Sequence, residues 1–483
     1  MWDYNFVGGP VLGRGPLDRR DSGANAKMNR RLPIAAATLL AALMLTPASG
    51  HAAAGVSAAH GFAPHKLIVK PAGPGRARTI DLPRRISVGE AAAALQSNPD
   101  VAYAAPDYIA TASAGEEEPT VPNDPGPLSG PPGPPGGWVS KQWNFLPWEG
   151  LPTPLVPVSP GGIDAVGAWE NLEAAGHPGA AGVTVAVLDT GIAYRPLGKR
   201  FRRSPDFAAG QFVKGYDFVD GDRLPLDENG HGTHVAGTIA EKTNNGIGLT
   251  GLAFRAKLMP VRVLDAQGRG RADQIAKGIR FAVAHGADVI NMSFNFGCGR
   301  EVPEVAEALQ QAYHQGVITV ASVGNLGSEA CVAPPATGPH TIGVGGSTEG
   351  GCLGAYSLAG RDVDVIAPGG GPPLAGCPSI SSSSIFQVTL KAGSTRRFGE
   401  PGSYVGTSMA AAHVSGVAAM VLASGTVKSK PTPGRVAAVT KRLRRTARSI
   451  GQPPTREGAG LIDAGLATEP RGQAHATRGQ ASS

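Results

Sequence analysis

No Cys-x-x-Cys pair and no His-Glu-x-x-His motif occurs in this chain, so the common zinc-binding spacings are missing. Cysteine itself is scarce: Cys298, Cys331, Cys352 and Cys377 are the only four in 483 residues. Four cysteines allow three pairings. The preferred reading is Cys298–Cys331 with Cys352–Cys377, against free thiols. No internal repeat is present. Past residue 54 no apolar run is long enough to cross a bilayer, so no transmembrane anchor is expected. Positive charge is not concentrated either. The net charge of +7 is spread over Arg20–Arg31, Arg76–Arg85, Arg195–Arg203 and Lys441–Arg448. No single aromatic-interleaved basic face is legible, and nucleic acid is not an expected partner.

The front of the chain reads as an address. Met28-Asn29-Arg30-Arg31 is basic, Ile34 to Leu45 is a short apolar run, and small residues follow through Ala54. Residues 28–54 are expected to be a signal peptide cut near Ala52–Ala54, and 1–27 an upstream extension ahead of the true start. Export makes disulfides the natural state of the sparse cysteines. Residues 55–110 form a small unit with strands at Lys66–Lys70 and Val101–Ala104 and a helix at Val88–Gln96. A unit this small is marginal alone. Residues 111–160 are crowded with Pro and Gly, carry the acidic run Glu116–Glu118, and read as a linker and N-terminal segment. Gln142-Trp143-Asn144-Phe145 interrupts that composition as a piece able to dock onto the next domain.

From about 161 to 466 apolar strand-like runs alternate with helical stretches. The strands are Val183–Leu188, Leu258–Leu264, Val289–Ser293, Val317–Val323, Thr341–Val344 and Val363–Ile366. The helices are His234–Lys242, Arg271–His285, Glu304–His314, Ser408–Leu422 and 433–449. This alternation predicts an α/β domain with a parallel sheet covered on both faces. Residues 467–483 read as a disordered tail.

Three segments stand out. In Ala186-Val187-Leu188-Asp189-Thr190-Gly191 an acid follows an apolar strand at the sheet's C-terminal edge. In Asn229-Gly230-His231-Gly232-Thr233-His234 two glycines leave an imidazole accessible at a helix start. In Gly406-Thr407-Ser408-Met409-Ala410-Ala411-Ala412-His413 a serine stands at the mouth of a helix, where N–H groups lack partners. Each alone fits a cap or a turn. Together they supply a nucleophile (Ser408), a base (His231) and an orienting carboxylate (Asp189). Ser408 N–H and the Asn325 side chain, in the turn Val323-Gly324-Asn325-Leu326-Gly327, are candidate donors to an oxyanion. His231 with His234 leaves a zinc pair as a competing reading.

These segments, in the order Asp, His, Ser, resemble those of the subtilisin-like serine proteases, from about residue 142 to 466. The resemblance implies a three-layer α/β/α fold, serine endopeptidase activity on polypeptides, a secreted monomer, and no organic cofactor. It assigns Asp189, His231 and Ser408 to a triad and Asn325 to the oxyanion site. It makes residues 55–110 an inhibitory propeptide, released by self-cleavage near Tyr108–Ala114. It makes Ser293, Phe294, Asn295 and Gly324 substrate-binding, through an edge segment that pairs with an extended peptide. It places structural Ca²⁺ on Asp206, Thr243, Asn245, Ile247 and Leu249. Two positions depart from the family: Asn295-Phe296 stand where two glycines are usual, and Ala412 where proline is usual. The first departure is the sole support for the alternative, a catalytically silent surface binding protein.

Overall fold

The computed structural model describes residues 62–74, 77–108, 122–128, 136–150, 156–327, 331–428 and 430–470. The expected extension 1–27, signal peptide 28–54 and the tail beyond 470 lie outside the described residues, as do 111–121 of the linker and all but Tyr108 of the expected cleavage stretch Tyr108–Ala114. The chain divides into two compact units, one within Met1–Gly115 and one within Glu116–Ser483.

The first unit is a three-stranded antiparallel sheet with one helix. Strands β1 (Phe62–Pro71), β2 (Arg78–Asp81) and β3 (Val101–Tyr108) take the order β2-β1-β3. Helix α1 (Val88–Gln96) starts at Ser87, whose hydroxyl accepts from Glu90 N–H at 3.2 Å and donates to the Glu90 carboxylate. Among the described residues, Leu67, Leu82, Val88, Ala91, Leu95 and Ala104 form its buried core. Strand β2 escapes a reading by apolar runs because Ile80 is its one apolar residue.

The second unit is built on seven parallel strands in the order β10-β9-β8-β7-β4-β6-β5. They are β4 (Thr184–Asp189), β5 (Tyr216–Asp217), β6 (Lys257–Arg262), β7 (Val289–Met292), β8 (Ile318–Ser322), β9 (Ile342–Ser347) and β10 (Val365–Pro368). Residues of β4, β7 and β8 are almost all fully buried, as a sheet covered on both faces requires. The flanking helices in chain order are α2 (Ala165–Ala174), α3 (His231–Ala240), α4 (Ala272–Ala284), α5 (Pro303–His314), α6 (Thr407–Ala423) and α7 (Pro433–Thr446). Short pieces complete the unit: β11 (Thr389–Leu390), β12 (Phe398–Gly399), α8 (Pro454–Glu457) and α9 (Ala464–Thr468). Both disulfides take the preferred pairing, Cys298–Cys331 and Cys352–Cys377, with Cα–Cα separations of 5.8 and 6.1 Å.

Helix α6 is apolar all round and runs through the core; of its 17 residues only Ser408 is not buried. Ala412 lets this helix run unbroken through the position where a proline would remove an N–H. Helix α3 begins three residues before the expected His234. Gly232 makes this possible: a Cβ there would stand 2.1 Å from the Gly191 carbonyl oxygen.

Within the expected linker and N-terminal segment 111–160, Trp138 and Phe145, the latter in the piece expected to dock, are fully buried in the main core. Trp138 and Trp169 meet edge-on at 5.7 Å, and the Trp138 indole N–H donates to the Pro122 carbonyl. Composition averaged over many Pro and Gly conceals a few large apolar side chains that decide burial. At the other end α9 runs past 466, and Ala467 is fully buried.

Candidate active site

Strand β4 lies where the strand order turns over: later strands go to β6 on one side and β7 on the other. Ligands of such sheets bind in the crevice at the carboxyl ends of the strands flanking that point. Asp189 is the last residue of β4. Ser293 follows β7, and Gly324-Asn325 follow β8 closely. Helices α3 and α6 both open at this rim, delivering His231 and Ser408 in their first turns.

Asp189 is fully buried, and its Oδ1 accepts from the Thr190 N–H and from His231 Nδ1, each at 2.8 Å. About 25% of the His231 side-chain surface stays exposed. Burial pulls the His231 pKa down, but the charge and hydrogen bond of Asp189 outweigh it, with Asp227 adding to them. The result stands above the ordinary value. A proton on Nδ1 aimed at Asp189 leaves Nε2 as the basic nitrogen.

Ser408 Oγ donates to the Ser293 carbonyl at 3.0 Å, and Ser293 Oγ returns a bond to the Ser408 carbonyl at 2.7 Å. The second bond ends a buried chain: Ser415 Oγ donates to Asn291 Oδ1, and Asn291 Nδ2 donates to Ser293 Oγ, both at 2.9 Å. This chain ties α6 to β7. The proton of Ser408 is thus directed at the Ser293 carbonyl; of the contacts expected among the three residues, the one formed in this structure is His231–Asp189.

Asn325 is oriented by Thr407. Its Oδ1 accepts from Thr407 N–H and Thr407 Oγ1, each at 2.9 Å. An N–H can only donate, so the atom it faces is the amide oxygen, and Nδ2 is the one left for an incoming anion. Gly406 makes room. Its φ of 143° and ψ of 172° belong to a region essentially reserved for glycine, and a Cβ there would approach Asn325 Nδ2 to 3.0 Å. The Ser408 N–H, at the second position of α6, has no partner within the helix itself.

Of the expected substrate positions, Ser293 is buried, Phe294 is half-buried and Asn295 is exposed. Asn295 Oδ1 accepts from Gly297 N–H at 3.1 Å, and its Nδ2 faces Gly324, 3.5 Å from where a Cβ would sit. Side chain 295 therefore reaches from the end of β7 toward the end of β8.

His234 is not part of a zinc pair. It is fully buried, its Nε2 faces the Ile385 carbonyl at 3.0 Å, and its ring stacks on Tyr404 at 3.9 Å. Burial depresses its pKa to about 3.

The expected calcium positions do gather. Asp206 is fully buried, accepting from Asn245 Nδ2 at 2.6 Å and Leu249 N–H at 3.0 Å. Asn245 Oδ1 accepts from Ile247 N–H at 3.0 Å, and the Thr243 hydroxyl pairs with that of Thr250, leaving only its carbonyl for a cation. The structure adds Asp124, a buried carboxylate that accepts from the Asn244 and Asn245 N–H groups. Burial pushes Asp124 up to about 6, and burial together with the charges of Asp124 and Glu400 raises Asp206. Among the described residues no three acidic, His or Cys side chains converge on one point. The side-chain donor types present, two buried carboxylates and an amide oxygen, are of the class Ca²⁺ takes, while the Asn245 amide here turns its nitrogen to Asp206 and its oxygen to the Ile247 N–H.

Sequence reading missed Asp124, Thr190, Asp227 and Thr407. Asp124 carries a faint signal, a carboxylate in the turn sequence Asn123-Asp124-Pro125. The others look like ordinary turn and cap residues until their partners are known. The fold also gathers charge that the sequence scatters. A cavity of about 1210 Å³ beside β5 is lined by Arg195, Arg203, Lys214, Tyr216, Lys277 and Phe281, among others.

A profile of the subtilase family matches residues 180–460. A thermophilic serine proteinase of Bacillus sp. (strain AK1) is 37% identical over 248 residues, 51% of this chain and 54% of that protein. The chain thus spans about half the length of that relative. Thermitase of Thermoactinomyces vulgaris is 35% identical over 265 residues, 54% of this chain and 81% of the relative. Subtilisin BL of Lederbergia lenta is 35% identical over 288 residues, 59% of this chain and 91% of the relative. The solved structure of a protease from Pseudoalteromonas arctica aligns with a TM-score of 0.56 at 30% identity, covering 72% of this chain and 98% of that one. With the parallel sheet, its turnover point and the groups gathered there, these likenesses establish that the chain belongs to the subtilase family of subtilisin-like serine proteases.

Proposed function

We propose that the chain hydrolyses peptide bonds with Ser408 as nucleophile, His231 as general base and acid, and Asp189 as its orienting carboxylate. The observation that carries this reading is the 2.8 Å bond from His231 Nδ1 to Asp189, at the strand edge where Ser408 and Asn325 also stand. A bound peptide pairs its N–H groups with the edge segment at 293–295. In doing so it competes with Ser408 Oγ for the Ser293 carbonyl and frees the hydroxyl to turn to His231 Nε2. Nε2 takes the Ser408 proton as Oγ bonds to the carbonyl carbon. The negative oxygen is met by Asn325 Nδ2 and the Ser408 N–H, at the positive end of α6. Collapse of the tetrahedral intermediate breaks the C–N bond, and His231 gives its proton to the leaving amine. Water then repeats the sequence on the acyl-enzyme.

The finer assignments belong to the same proposal. Residues 55–110 act as an intramolecular inhibitor in a zymogen; their small core supports a unit that needs a partner surface. The product is secreted and works as a monomer on extended polypeptides. Calcium, held by Asp124, Asp206, Asn245 and loop carbonyls, would neutralise two buried carboxylates and stiffen the loop, with no part in the chemistry. The silent-protein alternative has no support beyond Asn295-Phe296.

The test is Ser408→Ala beside the wild type. Wild-type mature protein is expected to be labelled by a fluorophosphonate and to hydrolyse a denatured protein substrate. The variant should fold, remain unlabelled and keep its propeptide. A fully active variant overturns the assignment.

A further inference from the structure

Asp227 is a buried carboxylate to which the chemistry above gives no task. It accepts five hydrogen bonds. Oδ1 takes those from Thr190 Oγ1, Asn229 N–H and Gly230 N–H, each at 2.9 Å. Oδ2 takes those from Thr233 N–H at 3.0 Å and Thr233 Oγ1 at 2.6 Å. Both hydroxyls are themselves acceptors: Thr190 Oγ1 from Gly232 N–H, and Thr233 Oγ1 from Ala193 N–H, each at 3.0 Å.

This arrangement has one consistent protonation. Each hydroxyl spends its only proton on Asp227, and the three remaining partners are N–H groups, so all five face it as donors. A carboxyl proton would meet an N–H or force a hydroxyl to turn and abandon its bond. Burial pushes the Asp227 pKa up, and the bonds from Gly230, Asn229 and Thr233 pull against that rise without cancelling it, so the charged form rests on the donor geometry.

The residues so tied are those that set the geometry of proton transfer. Thr190 is the residue after Asp189. Gly230 and Gly232 stand on either side of His231. One carboxylate therefore pins the turn carrying the acid to both flanks of the imidazole, from a sequence position four residues before that imidazole. We propose that Asp227 is a positioning residue for the His231–Asp189 couple, and that its fixed negative charge helps His231 hold a proton during attack. This rests on the triad reading given above. The titratable groups around it are Asp189 at the end of β4, His231 and His234 on α3, Tyr404 ahead of α6, and its neighbour Glu228, which is paired to Arg200 and to Arg262 of β6.

The experiment compares wild type, Asp227→Asn, Thr190→Val and Thr190→Ser, with Ser408→Ala as the inactive control, on a peptide p-nitroanilide across pH. Folding is checked by near-UV circular dichroism. Asp227→Asn is expected to lower kcat about tenfold or more with little change in KM, since small misplacements of a catalytic group cost that much. The acid limb of kcat/KM should move to lower pH by roughly half a unit, because a charge favouring the imidazolium is gone. Thr190→Val should lower kcat without that displacement, and Thr190→Ser should restore it. A folded Asp227→Asn with unchanged kcat and acid limb overturns the proposal. If Asp227→Asn does not fold, Thr190→Val decides, and unchanged kcat in that variant overturns it. An inactive wild type, indistinguishable from Ser408→Ala, would instead refute the triad reading.

Discussion

His413 should make the protein lose stability on acidification by an amount that can be isolated. The ring is fully buried, with Nδ1 facing the Met409 carbonyl and Nε2 facing Asn144 Nδ2, each at 2.8 Å. The carbonyl can only accept, so Nδ1 carries the proton and Nε2 is bare. A second proton would face the Asn144 N–H. Burial lowers the pKa from 6.5 to about 4, with the Met409 bond acting weakly in the other direction. The folded state therefore binds fewer protons than the unfolded one. The stabilisation is complete above the unfolded value and is lost as pH falls toward the folded one. Between pH 7.5 and pH 5 the unfolded ring gains most of a proton and the folded ring almost none. At 1.36 kcal/mol per unit over about 1.5 units, the loss is about 2 kcal/mol. The buried acids Asp206 and Glu241, whose pKa values burial raises, act in the opposite direction, so total stability does not report His413. The measurement is urea unfolding of the Ser408→Ala protein, which cannot digest itself, with and without His413→Gln. The stability gap between the two should shrink by about 2 kcal/mol from pH 7.5 to pH 5. A gap constant within about 0.5 kcal/mol would refute both the protonation state and the burial argument.

Three further outcomes concern the site. Asn325→Ala removes a donor aimed at the oxyanion and should lower kcat about 100- to 1000-fold, the range measured for such a loss in subtilisin itself, with KM little altered; a fall under tenfold would dismiss Nδ2 from that role. Gly406→Ala forces a methyl group against the Asn325 amide at a backbone conformation few residues adopt. It should depress kcat about as strongly as losing Asn325, and an unaffected steady-state rate would mean that the amide is not held there. Asn295→Gly clears the gap between the ends of β7 and β8. The ratio of kcat/KM for phenylalanine over alanine before the scissile bond should rise about tenfold or more, and an unchanged ratio would show that this side chain does not limit the space for that residue.

Much of the fold and site is legible in the sequence because the relevant signals are local. Apolar runs of β4, β7 and β8 mark buried parallel strands, and the acid, imidazole and hydroxyl each sit in a short Gly-marked segment. What stays hidden depends on long-range pairing. Strand β5 is two residues long and exists through its register with β6, Tyr216 opposite Val261 and Asp217 opposite Arg262. Asp124 becomes a candidate ligand only because its carboxylate meets amides about 120 residues away. Thr407 reads as a cap until Asn325 is found on its hydroxyl. Trp138 is masked by its neighbours, since a Pro/Gly-rich average says nothing about which few rings are buried. Partner-dependent roles of this kind have no periodicity to read.

In the proposed reaction, with Asp227 in its proposed role, opposite charges are served by different parts of one rim. Cationic charge develops on His231, against Asp189 on one side and a peptide framework fixed by Asp227 on the other. Anionic charge develops beside Ser408, where α6 presents the Ser408 N–H and its positive end. Helix α6 can do this because it is locked in place. Sixteen of its residues are buried, and the chain Ser415–Asn291–Ser293 fixes its first turn to β7. A donor held so firmly needs little reorganisation when charge appears, which is where preorganised dipoles gain over water. Loosening the chain without touching Ser408, as in Asn291→Ala, should then reduce kcat while leaving fluorophosphonate labelling detectable. An equal loss of kcat and of folding would place Asn291 in the core's stability instead.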